Sequence, residues 1–289
     1  MIPARFAYLR PASVEEALHL LRAHGDDARL LAGGHSLVPL LKLRLAAPRY
    51  LIDIGRLRAL AYIREEAGTI RIGALTTHAE IERSDLLRAG VPVLSEAASR
   101  IGDVQVRNRG TIGGSLVHAH PAADLPAAML VLEAEMMLQG PDGTRRVAAA
   151  DFFAGMFTTA LRPDEILVEI RVPAPPQGTG AAYLKAEDKA SHFAVVGVAA
   201  LVGLEPNGAC RFARVGIAGV AGIPFRAAAV EALLARKPLT ADGVRLAAQA
   251  ATERVEPLSD LFASPEYRRH LTQVYVARAL LQAASRALK

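Results

Sequence analysis

The stretch LLAGGHSLVPLL, Leu30 to Leu41, places two adjacent glycines and a histidine inside an otherwise apolar run. A plain core strand needs none of the three. Without a Cβ, glycine backbone reaches positive φ and lets a ligand or another chain segment come close, so this strand ends at a turn shaped for close approach. Upstream, Ser13 and Glu16 have the spacing of a capping box, and Val14, Ala17, Leu18 and Leu21 recur at helical spacing until Gly25 stops the helix. Arg29 to Ala32 reads as a short strand running into Gly33-Gly34. Downstream, a helical turn leads to RYLIDIG, a buried strand closed by Gly55. Together these make a small β/α unit with a glycine-rich turn at a strand end.

The rest of the chain limits what that unit serves. A chain of 289 residues, 52% hydrophobic and 22% charged, can bury a large core and by length reads as two domains. Its longest uncharged apolar run, Phe193 to Leu204, is interrupted by Gly197 and Gly203 and falls short of the roughly 18 residues of a membrane span. The first residues, MIPARFAYLRP, lack the apolar core of a secretory signal. The expectation is a cytoplasmic protein with no membrane span, peripheral membrane association staying open. Cys210 is the only cysteine, so no internal disulfide and no cysteine-held cluster belongs to this sequence. The net charge of +5 is spread without the interleaved aromatics of nucleic-acid surfaces, so nucleic acid is not an expected partner.

Beyond residue 56 the pattern changes to antiparallel pairs. AYIREEAGTIRIGALTT and AEMMLQGPDGTRRVAAA each hold two short strands around a turn, Ala67-Gly68 and Pro141-Asp142-Gly143. Thr77 and Glu80 make a second capping box, Val91 to Ser99 reads as a short helix, and Ile166 to Val172 as a partly alternating strand. PAPPQGTGAAY, with its prolines and glycines, marks a boundary near Ala174. After it come the strands HFAVVGVAALVGL and ARVGIAGV and two helical segments. The last starts at Ser264-Pro265 and carries an apolar stripe of Tyr267, Leu271, Val274, Leu281, Ala284 and Leu288.

RNRGTIGGSLVHAHPAADLP, Arg107 to Pro126, resembles the opening stretch. Consecutive backbone N–H groups can converge on phosphate oxygens where glycine permits, so two such segments suit one diphosphate. Ser36, Thr111 and Ser115 set hydroxyls beside glycine backbone, and Asp124 suits a sugar hydroxyl. Neither segment is GxGxxG and no Gly-Lys-Ser/Thr occurs, which removes the Rossmann fingerprint and the Walker phosphate loop.

These motifs, with FAYLRPASVEEAL, IRIGALTTHAEI, FFAGMFTTAL, EILVEIRVP, YLKAEDKASHFAVVGVAA and SPEYRRHLTQVYVARAL, closely resemble the FAD-binding medium subunits of the molybdenum hydroxylases, the carbon monoxide dehydrogenase and xanthine dehydrogenase family. The resemblance spans nearly the whole chain. It implies an α+β fold with a two-part FAD-binding domain of the vanillyl-alcohol-oxidase type, residues 1–174. A small three-stranded β/α piece (1–56) precedes a larger antiparallel α+β piece (57–174), and a C-terminal α+β flavoprotein domain, an antiparallel sheet with helices, takes 175–289. It further implies that Ala32, Gly33, Gly34, His35 and Ser36 form one diphosphate loop and Thr111, Ile112, Gly113, Gly114 and Ser115 the other. Asp124 matches a residue on the ribose or ribityl side, Ile101 and Val117 apolar positions near the flavin, Leu167 the adenine side, and Lys185 a cofactor contact. No catalytic acid or base and no metal ligand is implied in this chain.

The function that follows is electron transfer by an oxidoreductase subunit with noncovalent FAD. The molybdenum cofactor and [2Fe-2S] clusters then lie in a large and a small partner subunit, assembled as a dimer of heterotrimers. Two other classes fit the same clasp: a self-sufficient flavoprotein oxidoreductase and a noncatalytic nucleotide-binding module. His118, His120 and Asp124 spell H-x-H-x3-D, which reads better as part of the cofactor segment than as a metal site. His35, in Gly-Gly-His, invites covalent flavin attachment, which the resemblance argues against. Arg107 and Arg109 suit either phosphate contact or a solvated edge. His192 and Phe193 fall where relatives can place an aromatic residue near the isoalloxazine, a plain strand start serving equally well, and phenylalanine where carbon monoxide dehydrogenases can carry tryptophan leaves the acceptor open.

Overall fold

In the computed structural model, which describes residues 2–287, the strand Ala28–Leu31 leads directly into Gly33-Gly34. It pairs in parallel with Tyr50–Asp53, whose other edge pairs in parallel with Ala7–Leu9, completing a three-stranded sheet. Parallel strands need crossovers, and the helix Val14–His24 supplies the one from Ala7–Leu9 to Ala28–Leu31 on the far edge, burying Ala17, Leu18 and Leu21 in a cluster with Ala28 and Ile52. Ser13 caps this helix by accepting from the Glu16 N–H at 3.1 Å. The Glu16 carboxylate accepts from Ala12 at 2.6 Å rather than from Ser13, so only half of the expected capping box forms. Gly25, at φ 48°, ends the helix as its residue type allows.

The second piece is a five-stranded antiparallel sheet in the order Ile63–Glu66, Thr69–Gly73, Ile166–Pro173, Glu135–Gly140, Gly143–Ala148. Ala67 and Gly68, both at positive φ, make the two-residue turn that suits the twist of a hairpin. Ile166–Pro173 sits in the centre and pairs on both sides, with a bulge between Leu167 and Glu169. Burial of Ile166, Leu167, Ile170 and Val172 on both faces explains why its alternation is only partial. Between the hairpins, Thr77 and Glu80 form the complete capping box of the helix His78–Arg83, and Pro92 opens the helix Pro92–Ser99.

Thr179–Glu187, Ala194–Leu204, Cys210–Ala218 and Phe225–Arg226 form a four-stranded antiparallel sheet. Two helices, Ala228–Leu234 and Ala241–Ala248, and a 3-10 turn at Gln249–Thr252 precede the helix Pro265–Ala287, more helix than the sequence pattern shows. Ser264 caps the last helix through the Tyr267 N–H at 3.3 Å. Its buried face is not the expected stripe: Thr272, Val276, Ala279, Leu280 and Ala283 face the sheet, while Tyr267 is exposed and Leu271, Leu281 and Ala284 pack at the margin. The reason is closeness of approach. A Cβ on Gly180 would lie 1.8 Å from the Ala283 carbonyl oxygen, so the strand must carry glycine there for the helix backbone to approach. Leu288 lies outside the described residues.

Two buried clusters join the sheets, and in the first of them the small three-stranded sheet packs Ala28 and Ile52 against Leu60, Leu75 and Ile166. Ala181, Tyr183, Ala199 and Leu201 from the C-terminal strands pack into one cluster with Leu94, Leu125 and Met129. The three pieces therefore meet along buried surface, and the glycine-rich segments lie in the crevice where they converge.

Candidate functional site

The two glycine-rich segments touch backbone to backbone. A Cβ on Gly33 would sit 2.1 Å from the Arg109 carbonyl oxygen and 2.9 Å from the Gly110 Cα, so Gly33 is required by this junction itself. The second segment is also fastened from behind. Ile112 donates to the Thr76 carbonyl at 3.0 Å and Gly113 to the Ala74 carbonyl at 2.8 Å. A Cβ on Gly113 would meet Ala74 at 2.7 Å. Gly114 donates to the Thr111 hydroxyl at 3.2 Å and Ser115 to the Thr111 carbonyl at 3.0 Å.

The first segment is different. Among the described residues, no protein acceptor takes the N–H of Gly33, Gly34, His35 or Ser36. Gly34, at φ +81°, turns the chain so that these groups precede the helix Leu37–Lys42. The Ser36 and Ser115 hydroxyls also have no partner among the described residues, and both line the same cleft. Amides without protein partners therefore run through the first segment, whereas in the second those of Ile112 to Ser115 are bonded within its own scaffold.

The cleft encloses about 950 Å³, near the top of the roughly 300–1,000 Å³ usual for small-molecule sites. Ala32, Gly33, Gly34, His35 and Ser36 line it, as do Thr111, Gly113, Gly114 and Ser115, with Ile101, Val117, Asp124 and Leu167 further along. Two expected residues do not reach it. The Ile112 side chain is fully buried in the core, and the Lys185 side chain, 0% exposed, lies behind Asp124. Lys185 Nζ donates to Asp124 at 2.9 Å and to the Arg100 carbonyl at 2.8 Å, while the Tyr183 hydroxyl donates to Asp124 at 2.6 Å. Burial pushes the Asp124 carboxyl above the usual carboxylate range, and Lys185 and Tyr183 pull it back toward the ionised form. Lys185 therefore acts on the cleft through the carboxylate it holds.

His118 and His120 face an aromatic group rather than Asp124. His120 stacks on Phe193 at 4.4 Å between ring centroids, and Phe157 lies 5.3 Å from each imidazole. Burial lowers the pKa of both histidines, and His118 lowers that of His120 further. His120 Nδ1 accepts from the Ala122 N–H at 3.0 Å, which leaves its proton on Nε2. His192, at φ 57°, sets Phe193 at the cleft wall. Arg107 is held by Glu82 at 2.8 Å and by the Ile101 and Gly102 carbonyls, a loop-orienting role. Arg109 lines a smaller cavity of about 630 Å³ on the other side of Gly33.

Sequence reading misses Phe157 and His78, which both line the cleft. Phe157 sits in FFAGMFTTAL, where an exposed aromatic at positive φ is invisible before folding. His78, directly after the capping residue Thr77, carries only the weak signal of an imidazole at a helix start.

The geometry has close counterparts. Residues 4–175 match the FAD binding domain in molybdopterin dehydrogenase, and residues 181–283 match the CO dehydrogenase flavoprotein C-terminal domain. The chain belongs to the molybdopterin dehydrogenase FAD-binding family. It is 44% identical to the carbon monoxide dehydrogenase medium chain of Hydrogenophaga pseudoflava, over 99% of both chains. It is 40% identical to subunit alpha of the 6-hydroxypseudooxynicotine dehydrogenase complex of Paenarthrobacter nicotinovorans, over 99% of this chain and 97% of that one. A solved structure of the Hydrogenophaga pseudoflava carbon monoxide dehydrogenase, in a form that lacks the Mo-pyranopterin moiety, superposes with a TM-score of 0.96 over 99% of both chains at 45% identity. As a family member the chain is an oxidoreductase component with an FAD-binding domain.

The cleft fits that cofactor. The amides of Gly33 to Ser36 and the Ser36 and Ser115 hydroxyls, without partners among the described residues, suit phosphate oxygens, and the Asp124 carboxylate lines the same cleft.

Proposed function

We propose that this chain is the FAD-carrying electron-transfer subunit of a molybdenum hydroxylase. It takes electrons from the iron–sulfur clusters of a partner subunit and passes them to an external acceptor. The observation that carries this reading is the run of unengaged amides from Gly33 to Ser36, set in a cleft of dinucleotide size within a chain similar over its full length to dehydrogenase medium subunits. Bound FAD supplies the redox chemistry, since flavin takes electrons singly and releases them in pairs.

The chain's own residues bind, orient and shield. The first loop holds the diphosphate through its amides, and the second fixes the first in place and adds the Ser115 hydroxyl. Asp124, steadied by Lys185 and Tyr183, accepts from a ribose or ribityl hydroxyl. Phe157 and Phe193, with the neutral imidazoles of His118 and His120, keep water from the flavin. FAD is held noncovalently, and His35 is a loop residue. The sole cysteine, Cys210, is buried, so the [2Fe-2S] clusters belong to a small partner subunit. The molybdenum cofactor belongs to a large one, in a cytoplasmic dimer of heterotrimers. In this reading residues 1–56 and 57–174 form the two parts of the FAD domain and 175–289 the C-terminal domain. The large subunit selects the substrate, in keeping with the different substrates named for relatives of 44% and 40% identity.

Purification together with its small iron–sulfur and large molybdenum partner subunits tests the whole proposal. Acid precipitation is expected to leave all the yellow colour in the supernatant, and substrate of the large subunit to bleach the flavin of the intact complex. A colourless complex after incubation with FAD, or flavin that stays oxidised while the iron–sulfur clusters are reduced, sinks it.

A further inference from the structure

His78 belongs to neither glycine-rich loop, yet it lies where they meet. It opens the helix His78–Arg83, and its main-chain N–H donates to the Gly110 carbonyl at 3.0 Å. Gly110 has no room for a side chain because the imidazole is there: an added Cβ would lie 2.8 Å from Cδ2 and 2.9 Å from Nε2. Gly110 Cα, beside the Arg109 carbonyl, is in turn part of the backbone that Gly33 packs against. The ring thus sits under the seam between the two loops.

The ring is 4% exposed, and its Nδ1 is enclosed with no hydrogen-bond partner. Nε2 makes no hydrogen bond among the described residues either, but it is not enclosed, and His78 lines the cleft. A neutral imidazole carries one proton, and an enclosed donor without an acceptor is the costlier orphan. The proton therefore belongs on Nε2, the nitrogen open to the cleft. Burial, with the neighbouring His35 and Arg107, pushes the His78 pKa down to about 4, so the ring stays neutral near pH 7. His35 is on the first loop, and Arg107, one turn before the second, is already paired with Glu82.

We propose that His78 is a third arm of the cofactor clasp, a neutral Nε2–H donor to a diphosphate oxygen held between the two loops. This rests on the FAD reading above and adds a contact from outside both loops. The His78 donor is uncharged, and the ring needs no change of protonation to bind.

The test is made on the protein as isolated with its partner subunits, depleted of FAD. His78→Leu removes the donor, and His78→Gln keeps an N–H near the Nε2 position. FAD and ADP are the phosphate-bearing probes, and riboflavin is the phosphate-free one. His78→Leu is expected to weaken FAD and ADP by about tenfold or more, to leave riboflavin within about twofold, and to be rescued by His78→Gln. Unchanged FAD and ADP affinity in His78→Leu overturns the inference. So does a parallel loss of riboflavin, or a glutamine variant no better than leucine, since each marks a purely packing role. Absence of FAD binding by the unaltered protein overturns the cofactor reading along with it.

Discussion

The two Gly-Gly segments look alike in sequence and do opposite things with their backbone. In Ala32–Ser36 the amides of Gly33 through Ser36 have no acceptor among the described residues. In Thr111–Ser115 the amides of Ile112 and Gly113 are bonded to Thr76 and Ala74, and those of Gly114 and Ser115 to Thr111. One loop presents its backbone, and the other is scaffold that holds the first against the crevice. Glycine serves the two for different reasons. At Gly34 it supplies φ +81°, whereas at Gly33 and Gly113 it removes a Cβ that would strike neighbouring backbone or Ala74. A pair of glycines beside a hydroxyl residue is therefore a sign of close approach, and at Gly33 and Gly113 what approaches is another segment of the same protein.

The contrast breaks first at the glycines. Gly33→Ala drives a Cβ into the Arg109 carbonyl at 2.1 Å, and it is expected to lower stability by about 3 kcal/mol and FAD affinity by roughly a hundredfold. Gly113→Ala, with its nearest contact at 2.7 Å, is expected to cost about 2 kcal/mol while the folded fraction binds FAD within about threefold. Denaturant unfolding beside FAD titration separates the two, and a Gly113 variant that loses FAD more than a Gly33 variant reverses the roles of the loops.

The seam between the loops has its own pH signature. Burial holds the His78 pKa down from 6.5 to about 4, so below pH 6.5 the unfolded chain takes up a proton that the folded chain refuses. The stabilisation is complete above pH 6.5 and is lost as pH falls toward 4, by up to about 3 kcal/mol. Unfolding at pH 7 and pH 4.5 is expected to show this extra loss in the unaltered protein relative to His78→Leu. Equal losses in both would place the ring in solvent.

The hydroxyls give the smallest and most local comparison. Thr111→Val removes the acceptor of the Gly114 N–H and is expected to cost about 1 kcal/mol of stability, as lost helix caps do. Ser36→Ala removes a hydroxyl with no protein partner among the described residues, so thermal unfolding without cofactor is expected to move by less than about 0.5 kcal/mol while FAD affinity falls severalfold. Similar effects of the two changes on both readouts would erase the distinction.

Local chemistry made much of this architecture legible before folding. The Thr77-Glu80 box, the Ala67-Gly68 turn and the Gly25 helix stop depend on neighbours within a few residues, and each forms. Contacts across the fold are what the sequence hides. The last helix turns Thr272, Val276, Ala279, Leu280 and Ala283 inward where Gly180, about a hundred residues away in the chain, lets its backbone approach a strand, and no helical periodicity reveals that. The cleft residues are legible through their motifs, but the motif does not say which atoms are free. Ile112 sits in the second loop with its side chain in the core, and Lys185 stands behind Asp124. His78 becomes a cleft residue only when Gly110 folds against its ring.

Backbone hydrogen exchange, measured by mass spectrometry on the FAD-depleted protein before and after FAD is added, tests the division between the loops most directly. Gly33 to Ser36 are expected to exchange fast without FAD and to become protected with it, while Ile112 to Ser115 stay protected throughout. Protection gained at 112–115 with none at 33–36 would contradict the account.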